Sequence, residues 1–93
     1  MNVRQALADA LKTIRTARGL TQEDFSNVSS RTYLSTLERG LKSPTIDKLQ
    51  ALAEVLNVHP VTILVLTFIN AEDSSVDELL VKVRQELRTV TQG

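Results

Sequence analysis

The first seventeen residues carry apolar side chains at steps of three and four, and this spacing constrains the fold more than any other feature. One turn of an α-helix takes 3.6 residues, so side chains spaced in this way lie on one face. The stripe consists of Val3, Ala6, Leu7, Ala10, Leu11, Ile14 and Ala17. Gly19 follows it, and glycine is common just past a helix because it adopts positive φ without strain. The sequence therefore predicts an amphipathic first helix that ends before Gly19.

A short second helix is predicted next, barely two turns long. Thr21 is a suitable N-cap, Asp24 lies three residues later in a near capping box, and Phe25 is the expected inward anchor. Asn27 tolerates a left-handed conformation and is expected to supply the turn after this helix. Val28 is expected to enter the core, so the segment predicts a turn between two short helices.

The third predicted helix, from the cap at Ser30 to Arg39 before Gly40, has an unusual outer face. One side of "RTYLSTLERG" carries Leu34 and Leu37, with Leu41 expected to continue the stripe. The other side carries Thr32, Ser35, Thr36 and Arg39, with Arg31 and Tyr33 at the edges. Short hydroxylated residues are poor helix formers, and a solvated helix usually carries Glu, Lys and Ala instead. This face is therefore expected to contact something other than water.

Three further helices are predicted, and no segment has the alternation of a strand, so the expected class is all-α. Thr45 caps the fourth helix, which ends near Asn57 and carries the apolar stripe Ile46, Leu49, Leu52, Ala53 and Leu56. His59 and Pro60 begin the fifth, because proline is favoured in a first turn. "NAEDSS", residues 70–75, is interpreted as a polar linker. After Ser75, a sixth helix places Val76, Leu79, Leu80, Val83, Leu87 and Val90 on one side.

Composition argues against several classes of protein. Cysteine is absent, which excludes disulfides and thiolate metal sites, and His59 is the only histidine, without a carboxylate cluster beside it. We therefore expect no metal and no cofactor. Nucleophilic catalysis needs a base and an orienting acid around one nucleophile, and no such set is evident, so we expect no enzyme. The longest apolar run, "VTILVLTFI", is too short to span a bilayer, and a cytoplasmic protein without a membrane partner is expected.

Charge is distributed unevenly although the whole chain is neutral. Residues 1–48 contain eight Lys and Arg against five Asp and Glu, a net charge of +3, and the remaining residues carry −3. An asymmetry of this kind hints that the front half faces a polyanion and the back half has a different task.

Three segments in the same order resemble the Xre/Cro/lambda-repressor family of helix-turn-helix DNA-binding domains. They are "GLTQEDF", "SSRTYLSTLERG" and "KSPTIDKLQALAEVL", and the resemblance covers residues 7 to 66. It implies a five-helix DNA-binding domain over residues 1–70. Residues 71–93 are then a linker and an additional C-terminal helix of the same folding unit. The stretch from Gln22 to Arg31 is shorter than in most members and lacks the usual turn glycine.

The resemblance implies roles for the polar residues on and near the third helix. A helix in the major groove presents short donors and acceptors to base edges, and its N-terminal residues reach deepest. The implied base-reading residues are Arg31, Thr32, Tyr33 and Ser35. The implied phosphate contacts are Thr21, Gln22, Thr36, Arg39, Lys42, Ser43 and Thr45. For Lys42 and Ser43, a plain hydrophilic loop explains the residues nearly as well.

Glu38 lies near the buried edge of the leucine stripe, where an unpaired carboxylate is costly. Arg15 on the first helix matches the position from which this family sends an arginine to that glutamate. The two residues are therefore predicted to form a structural ion pair that ties the first helix to the third.

The back half exposes more apolar surface than one small domain can cover. "VTILVLTFI" is apolar nearly all round, and the sixth helix adds a second stripe. One explanation folds the sixth helix over the fifth within a monomer; the other builds a two-fold homodimer on a palindromic operator. The predicted dimer interface consists of Val61, Leu64, Val65, Phe68, Leu79, Leu80, Val83 and Leu87.

The expected function is that of a dimeric, sequence-specific transcriptional regulator that binds double-stranded DNA. The "RTY" opening of the third helix also resembles controller proteins of restriction-modification systems. Two alternatives remain open: an antitoxin-like protein that binds a toxin through its acidic back half, and a protein-interaction module in which the third helix contacts a protein instead of DNA.

Overall fold

The computed structural model describes residues 1–92, and within them every regular element is a helix. The elements in chain order are α1 (Val3–Ala17), a 3-10 turn (Gln22–Phe25), α2 (Arg31–Glu38), α3 (Ile46–Leu56), α4 (Pro60–Glu72) and α5 (Val76–Thr91). The predicted all-α class is confirmed.

Side-chain caps define the start of each α-helix. Asn2, Ser30, Thr45 and Ser75 each accept the backbone N–H three residues ahead, at 2.8–3.1 Å. His59 caps α4 by accepting the N–H of Val61 on its Nδ1 at 3.0 Å. Such caps satisfy backbone donors that have no partner inside the helix. The predicted starts at Ser30, Thr45, His59 and Ser75 are therefore confirmed.

The predicted second helix is wrong in type and length. Only the four residues Gln22–Phe25 are helical, and they form a single 3-10 turn. The Asp24 carboxylate accepts the Thr21 backbone N–H at 2.7 Å, which is half of the predicted capping box. Asn27 does not adopt the expected left-handed conformation: the residues with positive φ within 1–92 are Gly19, Gly40, Asn57 and Asp73. Ser26 and Asn27 are weak helix formers, and the chain instead turns towards Ser30.

The core surrounds α1, which packs on α4 along one side and on α2 along another. The buried apolar side chains come from every element except α5, and Phe25, Leu11, Leu34, Leu37, Leu52, Leu56 and Ile63 are the largest. Val28 packs against this core, as predicted. Ala8, which the predicted stripe omits, is fully buried because two neighbouring helices cover a wider face of α1 than one stripe.

Four stripe positions at helix ends are exposed, contrary to prediction. Ile46 is 83% exposed, Leu41 54% and Val3 51%, and Ala17 is also exposed. Leu41 lies beyond Glu38, where α2 ends, and the turn at Gly40 breaks the helical spacing that would have directed it inward. Val3 and Ile46 are first residues of their helices and lie beyond the edge of the core.

The last helix, α5, packs against α4 and has no buried residue of its own. Residues 70–72, part of the predicted linker, instead extend α4, and Asp73 in the left-handed region ends that helix. No single helix within residues 1–92 has the length and apolar character to cross a membrane; α3 and α4 meet that test only as a pair bent by 102°.

Candidate nucleic-acid interface

The outer face of α2 and the 3-10 turn form one polar groove. Its lining consists of Gln22, Arg31, Thr32, Ser35, Thr36 and Arg39. Three of these were predicted to read bases and three to contact phosphates. The structure thus gathers six of the eleven residues with predicted DNA contacts on one surface, while Leu34 and Leu37 hold the opposite face of α2 in the core.

The N-terminal turn of α2 presents Arg31 and Thr32 to solvent. Ser30 Oγ accepts the Tyr33 N–H at 3.0 Å and fixes the start of the helix just before these two exposed residues. Their side chains make no hydrogen bond within residues 1–92. The backbone carbonyl of Thr32 accepts the Thr36 hydroxyl at 2.7 Å. Arg31 and Thr32 therefore remain available to an external partner.

An ion pair joins α1 to α2 beside this groove. Arg15 Nε donates to Glu38 Oε2 at 2.7 Å and Arg15 Nη2 donates to Glu38 Oε1 at 3.0 Å, a bidentate arrangement. The side chains are 13% and 5% exposed. The hydrogen bond to Glu38 raises the pKa of the Arg15 guanidinium; burial opposes this change, and attraction to the carboxylate adds to it.

The network extends to the loop after α1 and to the groove itself. Arg15 Nη1 donates to the Leu20 carbonyl at 2.9 Å, and Gln22 Nε2 donates to Glu38 Oε1 at 3.2 Å. Gln22 thus lines the groove while its amide is oriented by the buried carboxylate. This contact links the ion pair directly to a residue that was predicted to bind phosphate.

Other predicted DNA contacts lie outside the groove. Lys42, Ser43 and Thr45 are exposed in the loop between α2 and α3, and Ser43 borders a second groove beside the start of α1. Thr45 Oγ1 accepts the Lys48 N–H at 3.1 Å. The Thr21 hydroxyl donates to Asp24 at 3.2 Å. These four residues are exposed but are not assembled with the residues of α2.

Tyr33 and Lys48 form a contact that the sequence did not suggest. Tyr33 is half-buried and packs against the core, although it was predicted to read bases. Lys48 Nζ lies 5.4 Å from the centre of the Tyr33 ring and donates to the Val28 carbonyl at 2.6 Å. The one signal in the sequence is a lysine in the first turn of a helix, where the helix dipole disfavours positive charge.

A metal site needs several ligating side chains close together. Within residues 1–92, no three His, Cys, Asp or Glu side chains lie close enough together to hold an ion.

The helical order and the polar outer face of α2 define a helix-turn-helix protein. A helix-turn-helix family model matches residues 11–63, more than half of the chain. The chain belongs to the Xre-type helix-turn-helix family of DNA-binding regulators.

Two similar proteins agree with this assignment. The chain is 40% identical over 63 residues to the uncharacterized HTH-type transcriptional regulator y4dJ of Sinorhizobium fredii. This alignment covers 66% of this chain and 82% of that protein. The crystal structure of the clp gene regulator ClgR from Corynebacterium glutamicum is similar with a TM-score of 0.73 and 27% sequence identity. That match covers 89% of this chain and 90% of the ClgR chain.

Proposed function

We propose that the protein is a transcriptional regulator that binds a palindromic DNA operator as a homodimer, with α2 as the recognition helix in the major groove. The observation that carries this proposal is the single polar groove of α2 and the 3-10 turn, defined above. It combines exposed donors at a helix N-terminus with two arginines. That is the arrangement a base-reading helix requires.

Base reading is assigned to the N-terminal half of α2. Arg31 is the first helical residue and can donate two hydrogen bonds to guanine, while the methyl group of Thr32 can contact the methyl group of thymine. Ser35 lies one turn further along the same groove. Tyr33 is assigned a place at the edge of the base-reading surface, because its side chain is partly buried against the core.

Phosphate contacts are assigned to residues in the groove and to the segments that precede and follow the recognition helix. Gln22, Thr36 and Arg39 line the groove, and Thr21, Lys42, Ser43 and Thr45 lie on exposed segments before and after α2. Contacts to the backbone fix the register of a protein on the duplex before base contacts specify sequence. The exposed polar residues before and after α2 in the chain are therefore assigned to the phosphates that border the major groove.

The homodimer is supported by the apolar surface of α4 and α5. Val61, Leu64, Leu80, Val83 and Leu87 are between 39% and 53% exposed, and Val65, Phe68 and Leu79 are partly exposed. Val61, Val65 and Leu80 line one groove, and Leu80, Val83 and Leu87 line the next. A continuous apolar surface of this kind on a small domain often marks an interface. A second copy is the assigned occupant, because a two-fold dimer presents two recognition helices to two half-sites about 34–36 Å apart.

Selection of bound fragments from random duplex DNA, followed by footprinting of the selected sequence, tests the proposal. The expected result is a protected palindrome with half-sites about one helical turn apart. Recovery of unrelated sequences without a shared motif would refute sequence-specific binding.

Arg31→Ala is expected to weaken binding to the selected operator by about 1–3 kcal/mol, because a bidentate contact to guanine is lost. The preference at one base pair of each half-site should relax at the same time. Competition between operators that differ at single positions measures both effects. Lys82→Ala on α5 removes an equal charge away from the groove of α2 and should leave binding unchanged. A uniform loss over all sequences would instead identify Arg31 as a phosphate contact.

Lys42→Ala is expected to weaken binding to every duplex alike, because its ammonium is assigned to a phosphate. The slope of log affinity against log salt concentration should fall by about one unit for each site contacted. Titrations at several salt concentrations measure this slope. Lys82→Ala is the matched control on α5, and an unchanged slope for Lys42→Ala would remove Lys42 from the interface.

A further inference from the structure

We infer that Lys48 is a positioning residue that fixes the start of the recognition helix and so directs Arg31 and Thr32 at the bases; the inference rests on the proposed function. Lys48 lies on α3, outside the polar groove of α2. Its ammonium contacts the chain on both sides of the bend that leads into α2. Lys48 therefore acts through that bend and not through a contact with DNA.

The ammonium of Lys48 spans residues 28–33. It donates to the Val28 carbonyl, before the bend, at 2.6 Å, and lies 5.4 Å from the centre of the Tyr33 ring, after the bend. Hydrogen bonds from an ionised donor are stronger than neutral ones, and an ammonium near an aromatic ring adds an attraction to its face. Lys48 thus holds the two sides of the bend at a fixed separation.

The position of Lys48 in α3 supports a specific role for its charge. It is the third residue of the helix, where the helix dipole disfavours a cation, so a lysine here loses part of its favourable electrostatic energy. The contacts with Val28 and Tyr33 compensate for this loss. Lys48 itself is partly buried, which separates it from the exposed lysines that bind phosphate by charge alone.

The bend is held from within by short-range hydrogen bonds, such as those from the N–H groups of Val28 and Ser29 to the Phe25 carbonyl at 3.0 and 2.9 Å. It contains no glycine, and Asn27 does not adopt a left-handed conformation. Ser30 caps α2 from within the bend, through its hydrogen bond to the Tyr33 N–H. Lys48 adds a polar contact from α3 to Val28 and Tyr33, on the two sides of this bend, and α2 has only eight residues with which to stabilise its own direction.

Lys48→Met, which keeps most of the side-chain length and removes the charge, tests this role. Binding is measured to the operator selected with the wild-type protein and to a random duplex of equal length, well below the melting temperature of each variant. We expect operator affinity to fall about tenfold, because misdirected base contacts lose part of their discrimination. The affinity for the random duplex and the salt dependence of binding should stay unchanged. Lys48→Arg should recover most of the lost operator affinity, and the matched control Lys82→Met should bind the operator like the wild-type protein.

Hydrogen exchange of the free protein supplies a readout without DNA. In Lys48→Met the Tyr33 amide should exchange faster while amides in the buried part of α4, such as Thr67, keep their protection. If Lys48→Met fails to fold, Lys48→Gln, which removes the charge but keeps a neutral N–H donor, should give a smaller loss of the same kind.

Three outcomes would overturn the inference. Equal losses on both duplexes with a smaller salt slope would make Lys48 a phosphate contact, and unchanged operator affinity would leave it no positioning role. Faster exchange throughout the core with an unchanged ratio of the two affinities would limit it to stability. A wild-type protein without a preferred sequence would refute the proposed function instead, and the exchange comparison would then still decide whether Lys48 holds the bend.

Discussion

Glu38→Ala is expected to lower the free energy of unfolding by about 3–5 kcal/mol, because it leaves a largely buried arginine without its counter-charge. Arg15 would retain the Leu20 carbonyl but lose both hydrogen bonds to the carboxylate, and Gln22 would lose the acceptor of its amide. A small domain has only about 5–15 kcal/mol of stability in total, so the variant should be close to unfolding at physiological temperature. Denaturation in urea measures the loss.

Two further variants distinguish a structural role of the ion pair from a direct contact of Glu38 or Arg15 with DNA. Arg15→Ala should also destabilise strongly, and the double variant should lose less than the sum of the two, since each single change already breaks the shared interaction. Glu54→Ala, an exposed carboxylate on α3, is the matched control and should change stability by less than about 0.5 kcal/mol. Normal unfolding of Glu38→Ala combined with lost DNA binding would contradict a structural role for the pair.

The sequence predicted the long helices well because each carries its own local signals. α1, α3 and α5 have apolar residues at helical spacing and a side chain that caps the first turn. The errors fall where local signals compete with packing. The predicted second helix is followed by the weak helix formers Ser26 and Asn27 and became a 3-10 turn. Ile46 and Leu41 lie at helix ends, where spacing no longer decides burial.

The candidate site was predictable to the extent that it lies on one helix face. Helical spacing alone placed Thr32, Ser35, Thr36 and Arg39 on the outer side of α2. The Arg15–Glu38 pair required the resemblance to a family, because its members are 23 residues apart in the chain. The contact of Lys48 with Val28 bridges 20 residues and depends on where α3 packs, so no periodic pattern could indicate it.

Val83→Glu is expected to weaken self-association by at least about 100-fold, because it places a carboxylate in the apolar surface assigned to the dimer interface. The matched control is Val81→Glu. Val81 is 49% exposed, against 39% for Val83, and two positions along a helix separate their side chains by about 200°, so Val81 faces away from the stripe. Sedimentation at concentrations around the dissociation constant measures association. Binding to the full operator should fall in parallel, since one short recognition helix holds a half-site weakly.

Comparison of Val83→Glu with Leu64→Glu identifies the helix that forms the interface. Leu64 lies on α4 and Val83 on α5, with similar exposure of 39% each. If α5 crosses the interface, both variants should be monomers, whereas if α5 only covers α4 within one subunit, Val83→Glu should remain a dimer. A wild-type protein that sediments as a monomer at high micromolar concentration, yet protects a whole palindrome, would show that DNA assembles the two copies. In that case the apolar surface of α5 would serve an interface that forms only on the operator.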